Sequence, residues 1–167
     1  MIKTRHPYII DLEASGFASN SYPIEVGLAL DPGRRYCTLI QPVDHWHHWD
    51  EHAESVHNIS REILFERGRP VTEVALELNQ LLKGKIVFSD AWGVDNSWIL
   101  VLFAAAGIEK TFSVSALETI LTEPQIDIWR ETHDTVVRDM GLTRHRASND
   151  AWIIQETYIR TLEMIST

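Results

Sequence analysis

The chain has 167 residues, 44% of them apolar and 23% charged, and its 15 basic and 24 acidic side chains leave a net charge of −9. That length suits one domain with a real core and is short for two, so residues 1–167 are expected to form a single domain. The composition is that of a globular protein; there is no apolar run of about 18 residues, which excludes a membrane-spanning helix, and no broad basic face of the kind that grips long duplexes is advertised. Met1 to Pro7 lacks the apolar stretch of a leader, and the single cysteine, Cys37, cannot form an internal disulfide, so a cytoplasmic location is the default expectation.

Tyr8-Ile9-Ile10-Asp11-Leu12-Glu13 reads as a buried strand ending in acids, and Ile24 to Leu30 as a second strand. Asp31-Pro32-Gly33-Arg34 is a turn, since Pro presets one dihedral and Gly permits a positive φ. Tyr36 to Ile40 then reads as a third strand, antiparallel to the second. Val71, Val74, Ala75, Leu78, Leu81 and Leu82 fall at helical spacing, with Gly84 as the stop. Ile86-Val87-Phe88 is a short apolar strand, and Trp98, Ile99, Leu102, Phe103 and Ala106 mark a helix ended by Gly107. Phe112 to Ser115 gives a fifth strand. Pro124 suits the first turn of a helix running to Gly141, and Ser148 is a good N-cap for the last helix, with Ala151, Ile154, Tyr158, Leu162 and Ile165 on one face. A three-strand meander followed by alternating helices and strands predicts an α/β fold, a mixed sheet covered by helices. There is no internal repeat or linker.

Asp11 and Glu13 are two apart on a strand, so both carboxylates point to one face. Two acids crowded at the end of a buried strand need protons or cations, and oxygen-only ligands suit Mg²⁺ or Mn²⁺ better than Zn²⁺. A strand end whose acids turn to solvent is the plainer alternative. Asp95 precedes the Trp98–Phe103 helix, where an acid also serves as a cap or dipole partner. His145 lies in the loop before Asp150, and a neutral imidazole there can take a proton from water; a capping acid beside an exposed histidine is the alternative.

The combination resembles the DEDDh branch of DnaQ-like 3′–5′ exonucleases. Asp11-Leu12-Glu13-Ala14-Ser15-Gly16-Phe17 is similar to the family's D-x-E-x-(T/S)-G-hydrophobe block, and Ile24-Glu25-Val26-Gly27 to its I-E-(I/V)-(G/A) strand. Val56-His57-Asn58-Ile59-Ser60 resembles the H-(G/N)-I-(T/S) segment. Ser89 to Ile99 resembles the second exonuclease motif, with Asp95 as its acid, and His145 to Ala151 the third, H-x4-D. The resemblance covers about residues 8 to 155.

It implies an RNase H-like fold and hydrolysis of phosphodiester bonds from the 3′ end of single-stranded DNA or RNA, releasing nucleoside 5′-monophosphates. Two divalent cations, Mg²⁺ or Mn²⁺, would be held by Asp11, Glu13, Asp95 and Asp150. Asp11 would bridge both, Glu13 and Asp150 would serve the one that carries the nucleophilic water, Asp95 would serve the other, and His145 would be the general base. Ala14, Ser15, Gly16, Phe17 and His57 would contact the terminal nucleotide together with His145. Phe17 is equally readable as a core residue, and His57 as a structural histidine. The chain departs from the family at Asp90, where Asn is usual; an extra acid there could bind metal, repel phosphate or point away, and Asp90→Asn is expected to keep activity.

Other readings stay open. His48 and His52 are four apart and could share a helix face as zinc ligands, though half-exposed histidines and packed tryptophans explain residues 44–57 without metal; the aromatics there could also border a substrate groove. Trp129 and Trp152 fit core stripes. Arg144-His145-Arg146 either steers phosphate or is a solvated loop. An oligoribonuclease-like hydrolase of short RNA and a catalytically lapsed binding module of the same fold are the alternative functions; the acidic balance leans toward short substrates. The oligomeric state is open, a homodimer included.

Overall fold

The computed structural model describes residues 6–166. Met1 to Arg5, most of the segment read above as lacking a leader, lies outside the described residues. In chain order the elements are β1 (Ile9–Ala14), β2 (Pro23–Ala29), β3 (Arg35–Leu39), α1 (Glu51–His57), α2 (Arg61–Arg67), α3 (Val71–Leu82), β4 (Ile86–Ser89), α4 (Trp92–Ala106), β5 (Ser113–Ala116), a short 3-10 turn (Leu117–Ile120), α5 (Glu123–Met140) and α6 (Ala147–Met164). The strands form one sheet in the order β3-β2-β1-β4-β5. β1, β2 and β3 are antiparallel neighbours, while β4 runs parallel to β1 and β5 parallel to β4. This is the mixed sheet that the element order predicts. No helix is long and apolar enough to cross a membrane among the described residues.

The two-residue period of β1 divides the molecule. Ile10 and Leu12 point into the larger core, with Val74, Leu78, Ile99 and Leu102 of α3 and α4. Ile9 points the other way, into a smaller core with Ala29, Phe88 and the α6 residues Ala151, Ile154 and Tyr158. Asp11 and Glu13 share the face of Ile9, so they lie on the α6 side of the sheet, at the end of the strand that α6 does not cover with apolar side chains. The pairing of β1 with β2 shifts register between Glu13 and Ala14. Such a bulge ends regular pairing where the chain turns into the cleft.

Two element boundaries differ from expectation. α4 begins at Trp92 rather than near Trp98, because the helix starts directly after β4 and its first turn is fastened by bonds from Val94 and Asp95 amides to the Ala91 carbonyl. α6 begins at Ala147, and Ser148 is not its N-cap. The amide of Ala147 instead donates to Glu25 Oε2 at 3.0 Å, so a side chain from β2 fills the capping role. Trp129 and Trp152 pack half-buried against the smaller core, as their helix stripes predict.

Candidate active site

The site is assembled where α6 meets the β1–β2 hairpin, and β2 supplies the seat. In the antiparallel register Glu13 faces Glu25, Asp11 faces Gly27 and Ile9 faces Ala29. Gly27 lies under the first turn of α6: a Cβ there would stand 2.1 Å from the Ser148 nitrogen and 2.2 Å from the Ala147 carbonyl carbon. Only a residue without a side chain lets the helix come this close. Two residues away, the fully buried Glu25 accepts from the Ala147 amide and from Arg146, through Nη2 at 2.7 Å and Nε at 3.1 Å. Thus Glu25 and Gly27, two apart on one strand face, fix the start of α6, and that start carries Asp150 toward Asp11 and Glu13.

Asp150 is held on both oxygens. Arg144 Nε donates to Oδ1 at 2.6 Å, and the His145 amide donates to Oδ2 at 2.8 Å. The loop makes this wrap possible by placing His145 at φ 59°, a left-handed conformation that costs a non-glycine residue energy. Asp95 arrives from the opposite side, in the first turn of α4. It is buried, and Ser89 at the end of β4 donates to its Oδ2 at 2.5 Å. The Ser89 oxygen in turn accepts from the Ala91 amide, tying strand end and helix start together. Asp95 is therefore not a simple exposed cap.

The ligand atoms fall into two adjoining groups. One oxygen or nitrogen each from Glu13, His145 and Asp150 lie within 4.8 Å of one another, and so do oxygens of Asp11, Asp90 and Asp95. All four acids expected from the sequence, together with His145, line one cleft of about 380 Å³. Asp90 joins them, so of the three readings open for this residue, pointing away is excluded. Metal binding and phosphate repulsion both stay compatible with that place, and it is the turn between β4 and α4 that brings Asp90 inward.

The electrostatics record the crowding. Burial, then the neighbouring Asp95, Glu13, Asp150 and Asp90, hold the Asp11 carboxyl well above the usual carboxylate range. Burial, with Asp150, Glu25 and Asp95 beside it, pushes Glu13 up to about 8. Asp95 is raised to about 7 by burial, against the lowering effect of the Ser89 hydrogen bond. Carboxyls raised in this way lack enough positive charge for their ionised forms. The donor set is hard, all oxygen apart from one imidazole, and it fits divalent cations of the Mg²⁺ or Mn²⁺ type.

The rest of the lining mixes apolar and aromatic side chains with Asp50, His52, His57, His133 and Arg144. Phe17 is 82% exposed, and its ring centroid lies 5.8 Å from that of Trp98, tilted by 48°. That exposure excludes a core role for Phe17. Ala14 and Gly16 line the cleft with it. Gly16 has φ 151°, and a Cβ there would meet His48 Cε1 at 2.6 Å. Ser15 does not line the cleft: its buried hydroxyl accepts from the Tyr22 amide at 3.1 Å and lies 3.2 Å from His48 Nδ1. His57 does line it, nearly fully buried. Its Nδ1 accepts from the Ile59 amide at 3.1 Å, and burial lowers its pKa against the raising effect of Glu54, Glu25 and the Ala14 backbone.

The zinc reading of His48 and His52 is not supported. His48 precedes α1, which begins at Glu51, so the two do not share a helix face, and no metal-holding group among the described residues contains them. Trp46 is buried and stacks on Tyr22 at 5.0 Å, which accounts for it as core rather than groove border.

Comparison with protein-family models and with curated proteins returns no match. Comparison with solved structures returns exonucleases. The chain is similar to E. coli Exonuclease I in complex with a 5cy-dT13 oligonucleotide (TM-score 0.68, 11% identity, 95% of this chain and 42% of that one). It is similar to the zinc-bound form of the E. coli enzyme with single-stranded DNA (TM-score 0.65, 11% identity, 95% and 42%). It also resembles the moderately thermophilic Exonuclease I from Methylocaldum szegediense (TM-score 0.54, 13% identity, 74% and 29%). The chain therefore spans about two fifths of the length of the E. coli enzyme. At these identities the likeness is one of fold: the mixed sheet flanked by helices is RNase H-like.

Proposed function

We propose that the protein is a metal-dependent 3′–5′ exonuclease of the DEDDh type, which removes nucleoside 5′-monophosphates from single-stranded DNA or RNA. One observation carries the reading: two adjoining ligand groups, Glu13–His145–Asp150 and Asp11–Asp90–Asp95, form the floor of a single cleft whose wall exposes Phe17 beside the half-buried Trp98. A floor of carboxylate oxygens repels phosphate unless cations intervene, and an exposed ring such as Phe17 suits an unpaired base. Four acids arriving from β1, α4 and α6 at one point have no evident structural purpose, since their crowding works against the fold.

Asp11, Glu13, Asp95 and Asp150, with Asp90 beside them, would hold two divalent cations, Mg²⁺ or Mn²⁺. When bound, these cations acidify water and neutralise charge developing on the attacking and leaving oxygens of the phosphodiester. The chain's own residues do the rest. His145 sits on an exposed loop beside Glu13 and Asp150 and accepts a proton from the attacking water. Its left-handed backbone keeps the ring at the cleft while its amide holds Asp150. Phe17 offers a stacking or wedging surface to the terminal base, worth about 1–3 kcal/mol.

The net charge of −9 favours short substrates or ones held at one end, because few phosphates can be gripped, and an oligoribonuclease-like activity on short RNA falls within this reading. The deciding experiment incubates the protein with 3′- and 5′-labelled DNA and RNA oligomers of several lengths, with and without Mn²⁺. Shortening from the 3′ end that requires metal is the expected result. Oligonucleotide binding with no metal-dependent cleavage would replace the enzyme with a binding module of the same fold.

A further inference from the structure

Arg144 and Arg146 flank His145, and the fold treats them differently. Arg146 is committed: two of its nitrogens bond the fully buried Glu25. Arg144 makes one side-chain hydrogen bond among the described residues, from Nε to Asp150 Oδ1, and its side chain is 39% exposed where that of Asp150 is 10% exposed. Its terminal guanidinium nitrogens thus remain available for a second oxyanion. Arg144 also stands where the cleft meets a second groove, along α5, which Arg130 and Arg138 line together with three acids.

Resting on the exonuclease reading above, we propose that Arg144 exchanges ligands: it occupies Asp150 in the metal-free protein, and on loading it yields that oxygen and takes a substrate phosphate. The reason is electrostatic. Asp150 shares a ligand group with Glu13 and His145, and a divalent cation there would lie against the guanidinium, like charge on like. An incoming phosphodiester supplies a replacement anion, and the planar guanidinium fork matches two phosphate oxygens. A long, half-exposed side chain on a loop can make the move, whereas Arg146 cannot without unpairing a buried carboxylate. The same residue thereby guards Asp150 before the metal arrives and grips the substrate afterwards.

The test uses the full chain and its Arg144→Met variant. Mn²⁺ binding is measured by calorimetry, and binding of a short 3′-hydroxyl oligonucleotide by fluorescence anisotropy with Ca²⁺ in place of the catalytic metal. The variant is expected to bind Mn²⁺ about tenfold more tightly, because a competing charge is gone, and the oligonucleotide about tenfold more weakly, because a charge-assisted contact is gone. Weaker Mn²⁺ binding overturns the proposal, since Arg144 would then be a strut that orients Asp150. Tighter Mn²⁺ binding with unchanged oligonucleotide affinity overturns it too, since no exchange would occur. Arg144→Gln repeats both measurements if the methionine variant does not fold. A parent protein that binds neither Mn²⁺ nor oligonucleotide sinks the exonuclease reading itself; a parent that binds both, with a variant identical to it, sinks only the exchange.

Discussion

Glu13 and Glu25 stand directly opposite each other on β1 and β2, and Arg146 hydrogen-bonds only one of them. Glu25 is fully buried and matched by the guanidinium and by the amide that starts α6. Glu13, its cross-strand partner, faces the cleft with acids around it and a carboxyl raised to about 8. Two carboxylates one strand apart thus have opposite fates: one is spent on architecture, the other is left wanting a cation.

That imbalance sets the pH dependence of the metal-free protein. Glu13 rises from 4.5 to about 8 and Asp95 from 3.8 to about 7, so each binds its proton more tightly folded than unfolded. Stability from these groups is full below their unfolded values and is lost as pH climbs through the folded ones. With chelator present, the thermal midpoint is expected to fall between about pH 5 and about pH 8.5, and Mn²⁺ should restore it most at the alkaline end. A Glu13→Gln variant should show a flatter profile; a parent midpoint that rises across this range contradicts the assignment.

Asp11→Asn and Asp150→Asn are expected to lower metal-dependent hydrolysis by about a hundredfold or more, with the fold intact by circular dichroism. Asp11→Asn should also raise the thermal midpoint of the metal-free protein, because it removes a buried carboxyl whose ionisation four other acids oppose. Parent-like turnover in either variant would end the two-cation reading.

His145→Ala should lower the single-turnover rate at saturating metal by about 10²–10⁴-fold. Added imidazole should recover part of the loss if the ring's task is proton transfer. No rescue, combined with lost Mn²⁺ binding, would make His145 a metal ligand instead, in keeping with its place in the Glu13–Asp150 group.

Asp90→Asn removes one of the three carboxylates in the group Asp11–Asp90–Asp95. It should leave turnover near the parent value at saturating Mn²⁺ and raise the metal concentration needed by about tenfold. A metal titration of initial rate reads both quantities, and complete inactivity at every concentration would place Asp90 among the essential ligands.

Gly27→Ala introduces a methyl group 2.1 Å from one backbone atom of α6 and 2.2 Å from another. Backbone has nowhere to retreat without moving the helix, so a loss of about 3 kcal/mol or more is expected in denaturant unfolding, with activity lost as Asp150 shifts. Unchanged stability would mean that α6 does not dock as described.

Much of this was readable from the chain because the relevant signals are local. The strand period alone put Asp11 and Glu13 on one face, and the order of strands and helices gave the mixed sheet. The misread cap at Ser148 has a non-local cause: the group that receives the Ala147 amide comes from Glu25, 122 residues away. Ser89 and Asp90 were quoted within a motif, yet the hydrogen bond of one to Asp95 and the inward approach of the other depend on how β4 turns into α4. α1 and α2 were not anticipated as helices, since seven-residue segments hold too few turns for an apolar stripe to declare itself. Ser15 fits a substrate-binding pattern by type, but its neighbours Tyr22 and His48 claim its hydroxyl.

The cleft joins Asp11, in the first strand, to Asp150, in the last helix, across Gly27. A chain in which α6 has not yet docked therefore carries Asp11, Glu13 and Asp95 without Asp150, and its ligand set is incomplete. Chain continuity between α5 and α6 therefore helps keep the ligand set together, and a single cut in the turn between them is expected to loosen Asp150 without altering any acid.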